Sequence, residues 1–262
     1  MKIKILSKDD RKMRFILEEV TPQFANALRR IMISEVPVMA VETVTFYSND
    51  SALYDEVIAH RFAMVPIWFD QKSFKRQDDC DCEGKGCSNC QMVFVVDKKG
   101  PTVVLSKDMK SADAEAAKPL FDDVPIAELF EEQRLKADAT AKLGAGKDHA
   151  KWQAARAWYG YLPTVEQKSK VTNGHDVEQA CPHGAIKVID GKVEVGPECD
   201  LGCHADKAAK PEGAFLLKGD ESKFVFTVES ISGLTAEEIV LKAASILKDK
   251  AKEFGKEVGD LK

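Results

Sequence analysis

A strand–helix pattern near the start of this chain returns near its end, with most of the sequence lying between. Residues 12–18, Lys-Met-Arg-Phe-Ile-Leu-Glu, are rich in strand formers and sit between charged flanks. Thr21 and Pro22 then supply an N-cap and a proline at the first helical position, where its missing N–H costs nothing. Phe24, Leu28, Ile31 and Met32 follow at i, i+4, i+7 and i+8, one apolar stripe on a helix that stops before Pro37. At the far end Phe224, Phe226 and Val228 alternate on one strand face, opposite Val225 and Thr227. Thr235 and Glu238 form a capping-box pattern, and Ile239, Ala243, Ile246, Leu247 and, with some drift, Phe254 continue as a helical stripe. Neither end alone buries much surface. Together they predict one discontinuous domain with an insertion.

A chain of 262 residues exceeds the usual single-domain size, so two or three compact units are expected. No run approaches the roughly 18 consecutive apolar residues that cross a bilayer. The first six residues are too few and too alternating for a secretory segment, which predicts a cytoplasmic protein with no membrane partner. Net charge is −5, with lysines and arginines spread among carboxylates. Binding through phosphates needs a concentrated basic face, so protein partners and little or no direct DNA contact are expected. Arg29 and Arg30 lie off the first helical stripe and, taken alone, read as a solvated face near a helix C-terminus.

Between the two ends, strand-like runs occur at residues 44–47, 92–96 and 102–105, with a short helix at 53–61. Residues 110–118 look like a solvated connector, and composition changes again after Pro163. Seven cysteines fall in two groups, which in a reducing compartment favours metal or iron–sulfur ligation over disulfides. Cys80, Cys82, Cys87 and Cys90 place four thiols in eleven positions around Gly84 and Gly86. Four thiolates at about 2.3 Å make a closed tetrahedral zinc site, so this loop is predicted to hold structural zinc. Asp79 and Asp81 sit among these thiols and are expected to tune the loop.

The second group is Cys181, Cys199 and Cys203. Cys181-Pro182 looks like the end of a bacterial ferredoxin motif, and Asp190-Gly191 between two apolar runs signals a hairpin. A ferredoxin draws more cysteines than three, so several outcomes stay open here. They are a [3Fe-4S] cluster, a [4Fe-4S] iron–sulfur cluster with a non-cysteine fourth ligand, zinc with His183 or His204, or no cofactor.

Five stretches, in order, resemble a known family. Residues 26–31, Asn-Ala-Leu-Arg-Arg-Ile, ending in Val36-Pro37, resemble the signature helix of bacterial RNA polymerase alpha subunits and their archaeal and eukaryotic counterparts. Residues 59–67, Ala-His-Arg-Phe-Ala-Met-Val-Pro-Ile, resemble the second signature, with Phe62-Ala63 where Leu-Gly is usual. Residues 106–109, Ser-Lys-Asp-Met, resemble a strand-to-turn element. Residues 146–153 resemble a later loop of the archaeal and eukaryotic members, with Ala154 where proline is common. Residues 226–233, Phe-Thr-Val-Glu-Ser-Ile-Ser-Gly, resemble the return into the dimerisation domain.

That resemblance implies an α+β fold: a discontinuous alpha-type dimerisation domain (1–43 and 212–262), an inserted α+β domain with the four-cysteine loop (44–164) and a small ferredoxin-like domain (165–211). It implies a non-catalytic assembly subunit that pairs with the small subunit L. The pair then recruits subunits N and P and the second-largest and largest subunits. The implied interface residues are Phe24, Leu28, Arg29, Arg30, Ile31, His60, Arg61, His149, Lys151, Trp152, Ile239 and Ile246. Among them His149, Lys151 and Trp152 would face a large subunit. It also implies zinc in the four-cysteine loop, since the polymerase II counterpart carries a similar loop.

Catalysis by this chain is not expected. It has no Asp-x-Asp-x-Asp set for catalytic metals, no P-loop and no Gly-x-Ser-x-Gly. An electron carrier built on residues 165–211 would need a complete, exposed cluster motif. A nucleic-acid module built on the four-cysteine loop is opposed by Asp78, Asp79, Asp81 and Glu83.

Overall fold

The computed structural model describes residues 1–260. In chain order the elements are β1 (Lys2–Lys8), β2 (Lys12–Glu18), α1 (Pro22–Ser34), β3 (Val38–Asn49), α2 (Asp55–Met64) and β4 (Ile67–Phe69). There follow β5 (Gln91–Lys99), β6 (Thr102–Leu105), β7 (Lys110–Ser111), β8 (Ala117–Pro119), β9 (Pro125–Leu129) and β10 (Arg134–Gly144). The chain finishes with β11 (Ala155–Gln167), α3 (Gly174–Gln179), β12 (Ile186–Ile189), β13 (Lys192–Val195), β14 (Phe215–Ser230) and α4 (Ala236–Asp260). Strands dominate and helices are few: the fold is mixed α and β, as the sequence predicts.

The chain divides into two compact units. One holds Met1–Asp9, Met13–Arg29 and Ala157–Val228; the other holds Asp10–Lys12, Arg30–Arg156 and the chain from Glu229 onward.

In the first unit the sheet runs β1-β2-β14-β11. Its centre is aromatic: Phe15 stacks on Phe226 with ring centroids 5.1 Å apart, and Tyr159 lies 5.1 Å from Phe226 and 5.4 Å from Phe224. The predicted alternation at residues 224–228 is present, but every one of these residues is buried. β14 is an inner strand, and both of its faces are covered along this stretch. A smaller core lies around Val177, Ile186, Val193 and Phe215. There the Asp190-Gly191 hairpin joins β12 to β13 with both turn residues at positive φ, the conformation that Asp-Gly favours.

In the second unit the sheet runs β3-β10-β5-β7. β10 pairs antiparallel with both β3 and β5, and its burial alternates strictly, with Leu135, Ala137, Ala139, Ala141 and Leu143 inside. α2 lies against β3 through buried Ile58 and Phe62. The capping box at α4 forms as predicted: Thr235 N–H donates to Glu238 Oε2 at 2.8 Å, and Glu238 N–H to Thr235 Oγ1 at 3.2 Å.

The solvated connector expected at residues 110–118 needs correction. Both of its ends pair as strands, Ala117 is fully buried, and Ser111 Oγ donates to the Ala117 carbonyl at 2.8 Å. Residues 112–115, Lys110 and Lys118 are exposed as expected, but a run of small and charged residues hid two strand edges.

Ser106 to Asp108 forms a 3-10 turn, and Asp108 is 8% exposed. Burial pushes its carboxyl up, but the Leu105 N–H at 3.0 Å and the Lys98 ammonium at 2.8 Å outweigh this and lower it. A depressed folded value means stability that is present above the unfolded value and lost as pH falls through the folded one. We therefore expect Asp108→Asn to be less stable than the parent at about pH 7 and to lose less between about pH 7 and pH 3 in urea unfolding. Parallel acid limbs would show that Asp108 contributes nothing.

Candidate functional site

The four-cysteine loop rises from the segment after β4 and returns into β5. Lys75 N–H donates to the Asn89 carbonyl at 2.8 Å and closes its base. Glu83, Gly84 and Gly86 take positive φ, which lets so short a loop turn back on itself. The result gathers all four sulfurs: Sγ atoms stand 3.6 Å apart for Cys80 and Cys87, 3.6 Å for Cys82 and Cys90, and 3.9 Å for Cys87 and Cys90. Ligands on one tetrahedral ion with bonds of about 2.3 Å stand about 3.8 Å apart. The loop matches that spacing and could hold one metal ion.

The thiols are not alike. Burial pushes the Cys90 thiol up to about 12, although the Cys87 N–H, 3.2 Å away, favours its thiolate. Burial also opposes ionisation at Cys82, but hydrogen bonds from the Cys80 and Cys90 thiols and the Gly86 N–H outweigh it and hold this thiol at about 7. Of the two aspartates expected to tune the loop, Asp81 pairs with Lys75 at 3.2 Å. Arg76, which the sequence did not single out, reaches Asp78 at 3.4 Å and Asp148 at 3.9 Å. A lone arginine outside any motif carries no sequence signal.

Cys181, Cys199 and Cys203 also converge. Cys181 follows α3 in a turn closed by its carbonyl and the Gly184 N–H, and Cys199 ends a turn from Gly196. Their three Sγ atoms lie within 4.8 Å of one another, with Cys199 and Cys203 at 3.8 Å, so this group too could hold a metal. Cys181 and Cys199 are buried and Cys203 is half-buried. Burial pushes the Cys199 thiol up to about 11. Neither His183 nor His204 joins the group within that reach; His183 stands 3.6 Å from Asp200, both about half exposed.

The interface residues expected from the sequence fall into two kinds. Leu28, Ile31 and Ile239 are buried in the chain's own core. Phe24, Arg29 and Ile246 are half-buried, and Arg30, His60 and Arg61 are exposed. Arg29 turns its guanidinium onto Asn26 Oδ1 at 2.9 Å, and Arg61 donates to the Ile126 carbonyl at 2.8 Å.

His149, Lys151 and Trp152 build one pinned loop. Trp152 is buried, donates Nε1–H to the Lys142 carbonyl at 3.2 Å and fills the space a side chain at Gly144 would need. Lys151 pairs with Glu42, and its ammonium sits 4.4 Å over the Trp152 ring. Burial raises the Glu42 carboxyl, but the Lys151 and Lys142 ammoniums outweigh it and hold it low. His149 Nδ1 accepts from the Lys151 N–H at 3.1 Å and orders the turn.

α4 shows where apolar surface is left over. Ile239 and Ala243 are buried, Ile246 and Leu247 are half-covered, and Leu241, Phe254 and Val258 are exposed. From residue 248 to its end the helix has no covered position. No helix among the described residues is long and apolar enough to cross a membrane.

The family model for the RNA polymerase Rpb3/Rpb11 dimerisation domain matches residues 14–251. The DNA-directed RNA polymerase subunit Rpo3 of Archaeoglobus fulgidus is 37% identical over 260 residues, covering 99% of this chain and 98% of that one. Subunit Rpo3 of Methanosphaera stadtmanae is 36% identical, with 96% of each chain covered. Subunit Rpo3 of Pyrococcus horikoshii is 38% identical, with 97% of this chain and 96% of that one covered.

Proposed function

Since the chain belongs to the Rpb3/Rpb11 dimerisation family of RNA polymerase subunits, we propose that it is a non-catalytic assembly subunit of a DNA-directed RNA polymerase. In this reading residues 1–43 and 212–262 form the pairing domain, which joins the small subunit L. Residues 44–164, with His60, Arg61 and the pinned loop at His149, face the large subunits, and residues 165–211 form a ferredoxin-like unit. The pair recruits subunits N and P and then the two largest subunits, which supply the chemistry of nucleotidyl transfer.

One observation carries this reading. The apolar stripe of α4 runs past the part that the chain itself buries, leaving Phe254 and Val258, four residues apart, uncovered. Exposed apolar side chains in register on a helix gain free energy when a second apolar helix covers them, at about 25 cal/mol per Å². Phe24 on α1 and Ile246 on α4 are each half-buried and keep apolar surface that a partner can cover. Arg29 and Arg30 suit the rim of such a contact because a planar guanidinium can pair with carbonyls or carboxylates of a partner. Zinc in the four-cysteine loop would act structurally: four protein thiolates close its coordination shell and leave no position for substrate.

The test uses side chains outside the chain's fully buried core. Leu28, Ile31 and Ile239 are unsuitable, since a charge there disrupts the chain's own core. The double variant Ile246→Glu, Phe254→Glu is expected to keep the parental circular dichroism and melting profile and to lose co-purification with the small partner subunit. Undiminished co-purification would overturn the pairing role of α4.

A further inference from the structure

Sulfur spacing distinguishes one metal ion from a cluster. Two thiolates that share an ion, with bonds of about 2.3 Å, stand about 3.8 Å apart at tetrahedral angles and at most about 4.6 Å apart in line. In an iron–sulfur cluster each thiolate caps its own iron. Its separation from the next thiolate then adds an iron–iron vector to two outward bonds, which is wider than any pair on one ion. The Sγ atoms of Cys199 and Cys203 are 3.8 Å apart, the tetrahedral separation, and that of Cys181 lies within 4.8 Å of both, a bound close to the in-line limit and short of a cluster's spacing. The four-cysteine loop, with three sulfur pairs at 3.6 to 3.9 Å and all four sulfurs within 4.8 Å, shows similarly compact spacing. The three-cysteine group therefore does not fit the iron–sulfur cluster that a ferredoxin-like unit implies.

We propose that Cys181, Cys199 and Cys203 bind a single thiophilic ion of the zinc class, with one coordination position left open to solvent. Among the described residues no fourth His, Cys, Asp or Glu side chain joins the group within the same reach. Cys203 is the half-buried member and marks the open side, next to exposed His204 and Asp200. Three protein ligands hold the ion by one protein bond fewer than the four of a closed site and leave a fourth position for water. Binding forms three sulfur–metal bonds and releases the thiol protons to solvent; it needs no oxidant or reductant. The chain then carries two ions of unequal hold, the three-thiolate ion leaving first. This inference rests on the chain's own sulfur positions and not on the assembly reading, so either can fail without the other.

The experiment uses the full chain purified without oxygen. Elemental analysis is expected to give two zinc ions per chain, with no iron and no acid-labile sulfide. Under excess EDTA, with a colorimetric zinc indicator, release is expected in two phases, the first at least ten-fold faster. Cys199→Ser should abolish the fast phase and leave one zinc, and Cys82→Ser should abolish the slow phase. Iron with labile sulfide, lost in Cys199→Ser, would overturn the proposal. So would a single zinc per chain that Cys199→Ser leaves untouched. Should Cys199→Ser fail to fold, cobalt reconstitution of the parent chain decides. Thiolate-to-cobalt absorption from seven sulfurs supports two sites, and absorption from four excludes the second.

Discussion

Replacing Phe226 by alanine is expected to lower the unfolding free energy by about 4 kcal/mol, measured by urea denaturation at neutral pH. Phe226 is fully buried in the inner strand β14. Its ring is stacked on Phe15 at 5.1 Å and 2° between planes, and it meets Tyr159 at 5.1 Å on another side. Truncation removes the transfer free energy of the ring and leaves a cavity walled by aromatic side chains, which are too rigid to collapse into it. Phe226→Leu keeps most of the volume and should lose roughly half as much or less. Equal losses in the two variants would mean that the stack contributes little beyond being apolar.

A glycine substitution should cost nearly as much for a different reason. A Cβ added at Gly233 would stand 1.9 Å from the Ile67 carbonyl oxygen and 2.7 Å from Trp68 Cα, both backbone atoms that cannot rotate away. The turn around it is tied on several sides. Arg11 donates to the carbonyls of Ser230 at 2.7 Å and Ser232 at 2.8 Å, and Ser230 Oγ donates to the Leu234 carbonyl at 2.5 Å. Gly233→Ala must therefore displace either this turn or the start of β4. Overpacking of that kind costs about 3 kcal/mol, or roughly 10 °C in melting temperature for a chain of this size. Gly255→Ala is the control: it sits in α4 with nothing within 4 Å of its added methyl, and should be neutral or stabilise by up to about 1 kcal/mol. A Gly233→Ala protein that melts with the parent would show that the backbone approach is looser than the structure has it.

The strands flanking α1 and opening α4 were legible because their side chains declare the period. Phe15, Ile16 and Leu17, and the run from Phe224 to Val228, are strong strand formers, and both helices carry explicit start signals at Thr21-Pro22 and Thr235–Glu238. β10, at the centre of the second sheet, was not legible. Its inward face is Leu135, Ala137, Ala139, Ala141 and Leu143, and alanine is both weakly apolar and a poor strand former. Alanine works there because β10 is paired on both edges, which fixes its backbone from outside. The same holds for residues 110–118, where pairing to β4 and β5 imposes strand geometry on small and charged side chains.

The cysteine groups divide in the same way. Their membership could be read from the sequence, since seven thiols in two tight sets admit few partitions. The distance between sulfurs could not, because it depends on how three separate turns come together, and that distance is what separates one ion from a cluster. By itself the sequence determined the class of fold, the family and the membership of the two cysteine groups, all of which rest on local pattern and residue chemistry. Only the tertiary structure decided which apolar side chains the chain buries and which it leaves exposed on α4. A stripe of Ile239, Ile246 and Phe254 looks uniform along the chain, and burial differs among them because the rest of the molecule covers only the first turns of the helix.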